Sequence, residues 1–379
     1  MTQLFSPLHL RGLTIANRVV VAPMCQYIAE NGCMSDWHLM HLGQFAVCGA
    51  GLLMTEMTDV EPEGRIGPYC VGLYSDDCEH AIGEVVKFCR RFGGAKLGIQ
   101  LAHAGRKGSV LPPWQARQIV PPSVGGWVPA APSPIPVSAQ HHVPRELSID
   151  DIQSLIDKFT AAVRRADRIG FDLIELHGAH GYLVHQFLSP ISNKRTDEFG
   201  GSLENRMRFP LELFKSMRSV WPATKPLGVK ISAQDWCEGG WTLEDTLEYC
   251  GRLREIGCDF VVASSGGITW DEKIPTAPGF QVRFAEVIRS KVGIPVTAVG
   301  LIRDPQHAEE IITSGAADMI ALARGMLWDP RWPWHAADAL GGECFVPDQY
   351  TRAQPSLAHD TFAVGAAGEP VRSLVLTTE

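Results

Sequence analysis

The sequence predicts an α/β fold: a single (β/α)8 TIM barrel with a long loop after strand 3 and a C-terminal extension. Two observations carry this. Short apolar runs alternate with amphipathic stretches eight times along the chain, and such runs are buried on both faces, as parallel strands with helices outside them are. The first run ends in Ala22-Pro23-Met24-Cys25 without a glycine, whereas an open doubly wound sheet, which shares the alternation, usually has a G-x-G-x-x-G turn there.

The units follow in order. The run 18–24 (RVVVAPM) precedes a helical stretch near 38–48, and 51–57 (GLLMTEM) precedes 76–92. The third run, 96–103 (KLGIQLAH), is followed by a long loop and then a helix over 148–169; 171–177 (FDLIELH) precedes 202–220. The runs 227–232, 259–265, 295–300 and 318–324 precede stretches over 243–256, 279–291, 305–314 and a last helix through 334–340. Ser148 followed by Asp150 and Asp151 reads as an N-cap with acids in the first turn, and Gly170 and Gly257 read as C′ residues.

The barrel is expected to occupy 1–352. Within it, 104–147 is rich in Pro and Gly and is longer than the usual 2–6 residues of such a loop, which suggests a lid. Residues 353–379 have few large apolar side chains and read as a tail that is mobile or docked on a partner.

With 34 basic and 42 acidic residues and no dense Lys/Arg run, the chain lacks the positive field that nucleic acid or an anionic membrane selects. No apolar stretch approaches the roughly 18 residues of a membrane span, and the N-terminus lacks signal-peptide order, so a cytoplasmic protein is expected. The ten cysteines form no C-x-x-C pair and read as reduced thiols.

Barrel active sites gather at the C-terminal ends of strands. Here those positions include Cys25, Tyr27, Glu56, Gln100, Arg106, Lys107, His177, His180, Tyr182, Lys230, Gly300 and Arg324, a set rich in hydrogen-bonding groups and poor in acids. Paired carboxylates for glycoside cleavage or a hard metal are therefore not expected. His177 and His180 leave three readings open: zinc ligands, loop packing, or N–H donors to a carbonyl or anionic oxygen. Gly300 and Ala323-Arg324 lie where many barrels bind a phosphate. Together these suggest redox work with a phosphate-bearing cofactor.

The segments APMCQY (22–27), DWH (36–38), GIQLAHAGRK (98–107), ELHGAHGYLVHQFLSPISNKRTDEFGGSLENRMRF (175–209) and LARGML (322–327) resemble the old yellow enzyme family of flavin-dependent ene reductases, in particular its thermophilic-like, xenobiotic reductase-like subgroup. The resemblance runs collinearly over about 3–352. It implies non-covalent FMN reduced by NAD(P)H, with α,β-unsaturated carbonyl or nitro compounds as substrates and a homodimer or homotetramer as the assembly. By the same resemblance Ala22, Pro23, Met24 and Cys25 pack beside the flavin, Gln100 bonds its pyrimidine edge, and Lys230 stands where many members carry Arg. Gly300, Ala323 and Arg324 resemble the phosphate site. His177 and His180 would grip the substrate oxygen, Tyr182 would protonate the α-carbon, and Tyr27 would add a hydroxyl. Arg352 resembles an arginine that enters the neighbouring subunit's pocket. Two other functions stay open: a metal-dependent hydrolase or lyase using His177 and His180, and a non-enzymatic flavin redox sensor acting through Cys25.

Overall fold

The computed structural model describes residues 2–352; the tail expected over 353–379 lies outside them. Eight strands form a closed barrel: β1 Val19–Val21, β2 Leu52–Asp59, β3 Lys96–Ala102, β4 Leu173–Gly178, β5 Leu227–Ser232, β6 Val261–Ser264, β7 Val296–Ala298 and β8 Met319–Leu322. Each strand pairs in parallel with its sequence neighbours, and β8 pairs with β1 to close the ring. Closure leaves no strand edge and places all eight C-terminal ends on one rim.

Helices α1 Asp36–Ala46, α2 Asp76–Phe92, α3 Ile149–Ile169, α5 Leu203–Val220, α6 Leu243–Glu255, α7 Val282–Val292, α8 Pro305–Thr313 and α10 Trp332–Leu340 flank the strands. The short α4 Leu183–Leu188 and α9 Arg324–Trp328 follow β4 and β8. Ser148 caps α3 in a reciprocal box with Asp151, and Gly170 ends it at φ 95°, as the sequence predicts; Gly257, after α6, has φ 90°. Two features escaped the sequence reading. One is the pair of short helices. The other is an antiparallel hairpin, Leu8–Leu10 with Leu13–Ile15, whose Leu10 and Ile15 pack in one cluster with the barrel-lining Val20, Leu52, Met54, Leu173, Phe260, Val262 and Met319.

That interior is lined by packed side chains. The space left along it, bounded by residues including Ala22, Pro23, Glu175, Lys230 and Phe260, is about 10 Å³, room for one water at most. Large side chains face glycines: a Cβ at Gly98 would meet Met54 Sδ at 2.3 Å, and one at Gly228 would meet the Phe260 ring at 2.4 Å. Along β2 the register against β3 slips between Met54 and Met57. Such a bulge turns the end of a strand and re-aims its side chains.

Segment 104–147 contains single 3-10 turns at Gly105–Lys107, Pro113–Gln115 and Pro122–Val124 and a two-residue ladder joining Ala130–Ala131 to Arg145–Glu146. Arg106, almost fully buried, ties it to the rim by donating to Ile135 O at 3.2 Å and Ile268 O at 2.7 Å.

Two glycine substitutions should separate packing from propensity. Gly228→Ala forces a methyl into the Phe260 ring and should destabilise by about 1–3 kcal/mol. Gly251→Ala, within α6 and with nothing within 4 Å of the new Cβ, should stabilise by roughly 0.5–1 kcal/mol. Chemical denaturation of the two variants checks both signs.

Candidate active site

Three adjacent strands place a buried polar triad inside the rim. Register pairs Gln100 on β3 with Glu175 on β4, and His177 on β4 with Lys230 on β5. Gln100 Nε2 donates to Glu175 Oε1 at 2.5 Å. Burial pushes the Glu175 carboxyl up, opposed by the Lys230 charge and the Gln100 bond; burial pushes Lys230 down, opposed by Glu175. Ala22, Pro23, Glu175 and Lys230 border the same interior space. Glu175 went unremarked in the sequence because one acid inside an apolar strand carries no spacing signal.

The loop between β1 and α1 holds Met24, Cys25 and Tyr27. Glu56, at the β2 bulge, accepts from Gln26 N–H at 3.1 Å and faces His38 Nε2 of α1 at 3.3 Å. Ser35 N–H donates to His38 Nδ1 at 2.9 Å, which leaves the imidazole proton on Nε2, toward Glu56. Cys25, Tyr27 and Tyr182 pack against one apolar cluster with Met57, Ile66, Cys70, Ala102 and Ala104. Burial pushes the Cys25 thiol well up, with nearby acids adding to it.

His177, His180 and Tyr182 sit together. The His177 ring centroid lies 5.2 Å from His180 and 5.0 Å from Tyr182, both edge-on. Burial first, then the Lys230 charge, pushes both imidazoles well below their usual range, so both are neutral donors. Ala179 N–H donates to His177 Nδ1 at 3.3 Å, which puts the His177 proton on Nε2. His180 Nε2 is 2.8 Å from Ser264 Oγ. If Ser264 donates there, the His180 proton sits on Nδ1. Ser265 already donates to Gln281 Oε1 at 2.7 Å, and Ser264 reaches that oxygen only at 3.2 Å.

Behind this group the turn 179–182 is held by a buried pair. Gly181 N–H donates to His185 Nδ1 at 2.9 Å, and His185 Nε2 lies 2.9 Å from Asp235 Oδ1, both side chains fully buried. Lys107 donates to His180 O at 2.8 Å and Gly267 O at 2.6 Å, with Nζ 5.6 Å from the Tyr182 ring centroid. Burial, reinforced by Arg117, pushes it down to about 7. The sequence placed Lys107 at a strand end without a role, and His185 and Asp235 were missed; 50 residues separate that pair.

Gly300 follows β7 with φ 117°, and Ala323 precedes α9, which opens with an exposed Arg324. The two rim positions adjoin because β7 and β8 pair. Arg352 is exposed, beyond the turn Asp348–Tyr350. Among the described residues no group of three or more His, Cys, Asp or Glu could hold a metal, and no helix is long and apolar enough to cross a membrane. Strands β2 and β4 bury two acids that the sequence reading did not single out, Asp59 and Glu175, besides Glu56.

The model of the NADH:flavin oxidoreductase / NADH oxidase family matches residues 3–342. The chain belongs to that family. An NADPH dehydrogenase of Geobacillus thermodenitrificans is 43% identical over 353 residues, 93% of this chain and 98% of that one. An NADH:flavin oxidoreductase of Gibberella zeae is 41% identical, covering 92% and 88%. A morphinone reductase structure in complex with tetrahydroNAD shares 26% identity over 92% of this chain and 93% of its own, with a TM-score of 0.75. The old yellow enzyme resemblance therefore holds, and the protein is an FMN-dependent NAD(P)H oxidoreductase on a TIM barrel. The buried Lys230, the Gln100 amide and the small Ala22 and Pro23 fit a flavin of this family, supplying a cation, a hydrogen-bonding edge and a flat apolar contact.

One buried acid sets a pH test. Asp59 at the end of β2 is fully buried with neither carboxyl oxygen bonded. Burial pushes it well up; Arg65 opposes, and Glu56 and Glu61 add. The fold thus keeps a proton that the unfolded chain releases near pH ~4, so stability from this group is complete below about pH 4 and is lost as pH rises toward the folded value. Asp59→Asn has no proton to lose. It should raise Tm at about pH 8 and leave it unchanged near pH 4; an equal shift at both ends of a thermal-melt series would contradict the reading.

Proposed function

We propose that the protein reduces the activated C=C bond of α,β-unsaturated carbonyl or nitro compounds. The observation that carries this is the cluster of two neutral imidazoles, His177 buried and His180 partly buried, beside a phenol. Bound at the rim, FMN would supply a two-electron carrier that takes hydride from NAD(P)H and gives it to the substrate. Pro23, Met24 and Cys25 would line its isoalloxazine, Gln100 and Lys230 its pyrimidine side, and Gly300, Ala323 and Arg324 its phosphate.

His177 Nε2–H and His180 Nδ1–H would donate to the same substrate oxygen. Two N–H donors withdraw electron density from the conjugated alkene and stabilise the enolate as charge reaches that oxygen. Tyr182, whose phenol burial holds well above its usual range, keeps its proton at neutral pH and can deliver it to the α-carbon as a general acid. Tyr27, stacked edge-on against Trp114 at 5.7 Å, would close one side of the pocket and add its hydroxyl. Arg352 would reach the pocket of a neighbouring copy in a homodimer or homotetramer.

Anaerobic reoxidation of the NADPH-reduced holoenzyme by cyclohexenone is the direct test; a reduced enzyme that cyclohexenone leaves unchanged would overturn the proposal. His177→Ala should weaken binding of phenols and enones by roughly 10- to 100-fold while FMN stays bound, as flavin absorbance after gel filtration reports. Loss of FMN from that variant would remove His177 from the substrate site.

Tyr182→Phe should slow reoxidation by cyclohexenone by about 10²- to 10⁴-fold and leave the rate of reduction by NADPH unchanged. Stopped-flow measurement of the two half-reactions separates these, and an unaltered reoxidation rate would transfer the protonation to solvent.

A further inference from the structure

The loop that carries Cys25 and Tyr27 ends in a tight turn whose last residue is a cysteine. Glu30 and Cys33 exchange backbone bonds, Cys33 N–H to Glu30 O at 2.9 Å and Glu30 N–H to Cys33 O at 3.3 Å. The two residues between them, Asn31 and Gly32, have φ of 54° and 85°, the left-handed pair that an Asn-Gly hairpin turn requires. The turn lies on the start of α2: Gly72 N–H donates to Gly32 O at 2.9 Å, Tyr74 Oη to Asn31 O at 3.1 Å, and a Cβ on Gly32 would stand 3.2 Å from Cys78 Sγ.

Across that contact Cys33 Sγ lies 3.8 Å from Cys78 Sγ. Cys33 is partly exposed and Cys78 is buried in the first turn of α2, its N–H held by Ser75 Oγ at 3.2 Å. A disulfide needs its sulfurs about 2.05 Å apart, so side-chain rotation and a small shift of the turn suffice. The two residues sit on separate elements, 45 positions apart in sequence.

We infer that Cys33 and Cys78 form a reversible disulfide that fastens the substrate-site loop to α2 under oxidising conditions. The oxidant is a low-molecular-weight disulfide such as oxidised glutathione. The Cys33 thiolate attacks it, forming a mixed disulfide and releasing one small thiol. Cys78, giving up its proton, then displaces the second small thiol and closes the Sγ–Sγ bond; two electrons and two protons leave with the small thiols. Cys33 is the entry point because it is the exposed sulfur. Its thiol is pushed up to about 11 by burial, by the Cys78 neighbour and by Asp77, so the exchange is slow at neutral pH.

The test uses the FMN-loaded full chain. After incubation with oxidised glutathione at about pH 8.5 the protein is unfolded in denaturant, free thiols are blocked with N-ethylmaleimide and the chain is digested without reduction. The expected product is a peptide linking Cys33 to Cys78, a fall from ten to eight blockable thiols, and full return of both on adding dithiothreitol. Cys33→Ser should give no linked peptide and lose no thiol at Cys78. A stable glutathione adduct on Cys33 without the link, or ten thiols still free, would overturn the inference. The readout is covalent, so it is decided whether or not the protein reduces enones.

Discussion

Burial of opposite charges inside a filled barrel is the constraint on which the site depends. Glu175 and Lys230 stand on neighbouring strands at the top of an interior with about 10 Å³ left open. Dehydration drives each toward its neutral form, and each holds the other back. Such a pair is a weak contributor to stability, yet breaking it by removing one partner is costly. In the proposed function an electron-rich ring edge brought to Lys230 would supply the counter-charge that Glu175 alone provides incompletely, so that cofactor binding and charge balance would be the same event.

Everything around that pair is arranged by backbone devices. The bulge in β2 turns Glu56 toward the first loop, where it holds Gln26 N–H and His38 together. The turn after β4 is pinned by His185 and Asp235 from behind and by Lys107 from the side. Arg106 spends its donors on carbonyls of two loops. Side chains on loops reach a reproducible position only when groups like these remove the alternatives.

The barrel was legible because short apolar runs alternate with amphipathic stretches along the chain, a local property of sequence. His177, His180 and Tyr182 were legible because they lie within six residues of one another and a single turn brings them together. Glu175 and Asp59 were not. Each is one acid in a strand whose importance comes from neighbours on other strands, and alternation along a strand says nothing of register. The β2 bulge, the His185–Asp235 contact and the role of Lys107 were hidden for the same reason: each depends on an approach between distant segments. The rim was read as poor in acids because the burial of an acid leaves no mark of its own in the sequence.

The charge state of the histidines follows from this burial. Lys230 and Lys107 both stand close enough to disfavour a further proton on His177 and His180, and burial does so more strongly. A charged imidazolium would bind an anion tightly in the ground state. Two neutral N–H donors bind a neutral carbonyl modestly and gain as negative charge grows on its oxygen. That difference favours the transition state over the substrate, which is what catalysis requires. In the proposed function the Lys230 charge beside the flavin edge thus also bears on how the imidazoles would hold a substrate oxygen, and the proton would come from a group that is neutral as well. Tyr182, partly buried and with its phenol held well above its usual range 5.0 Å from His177, meets that condition without adding charge to the site.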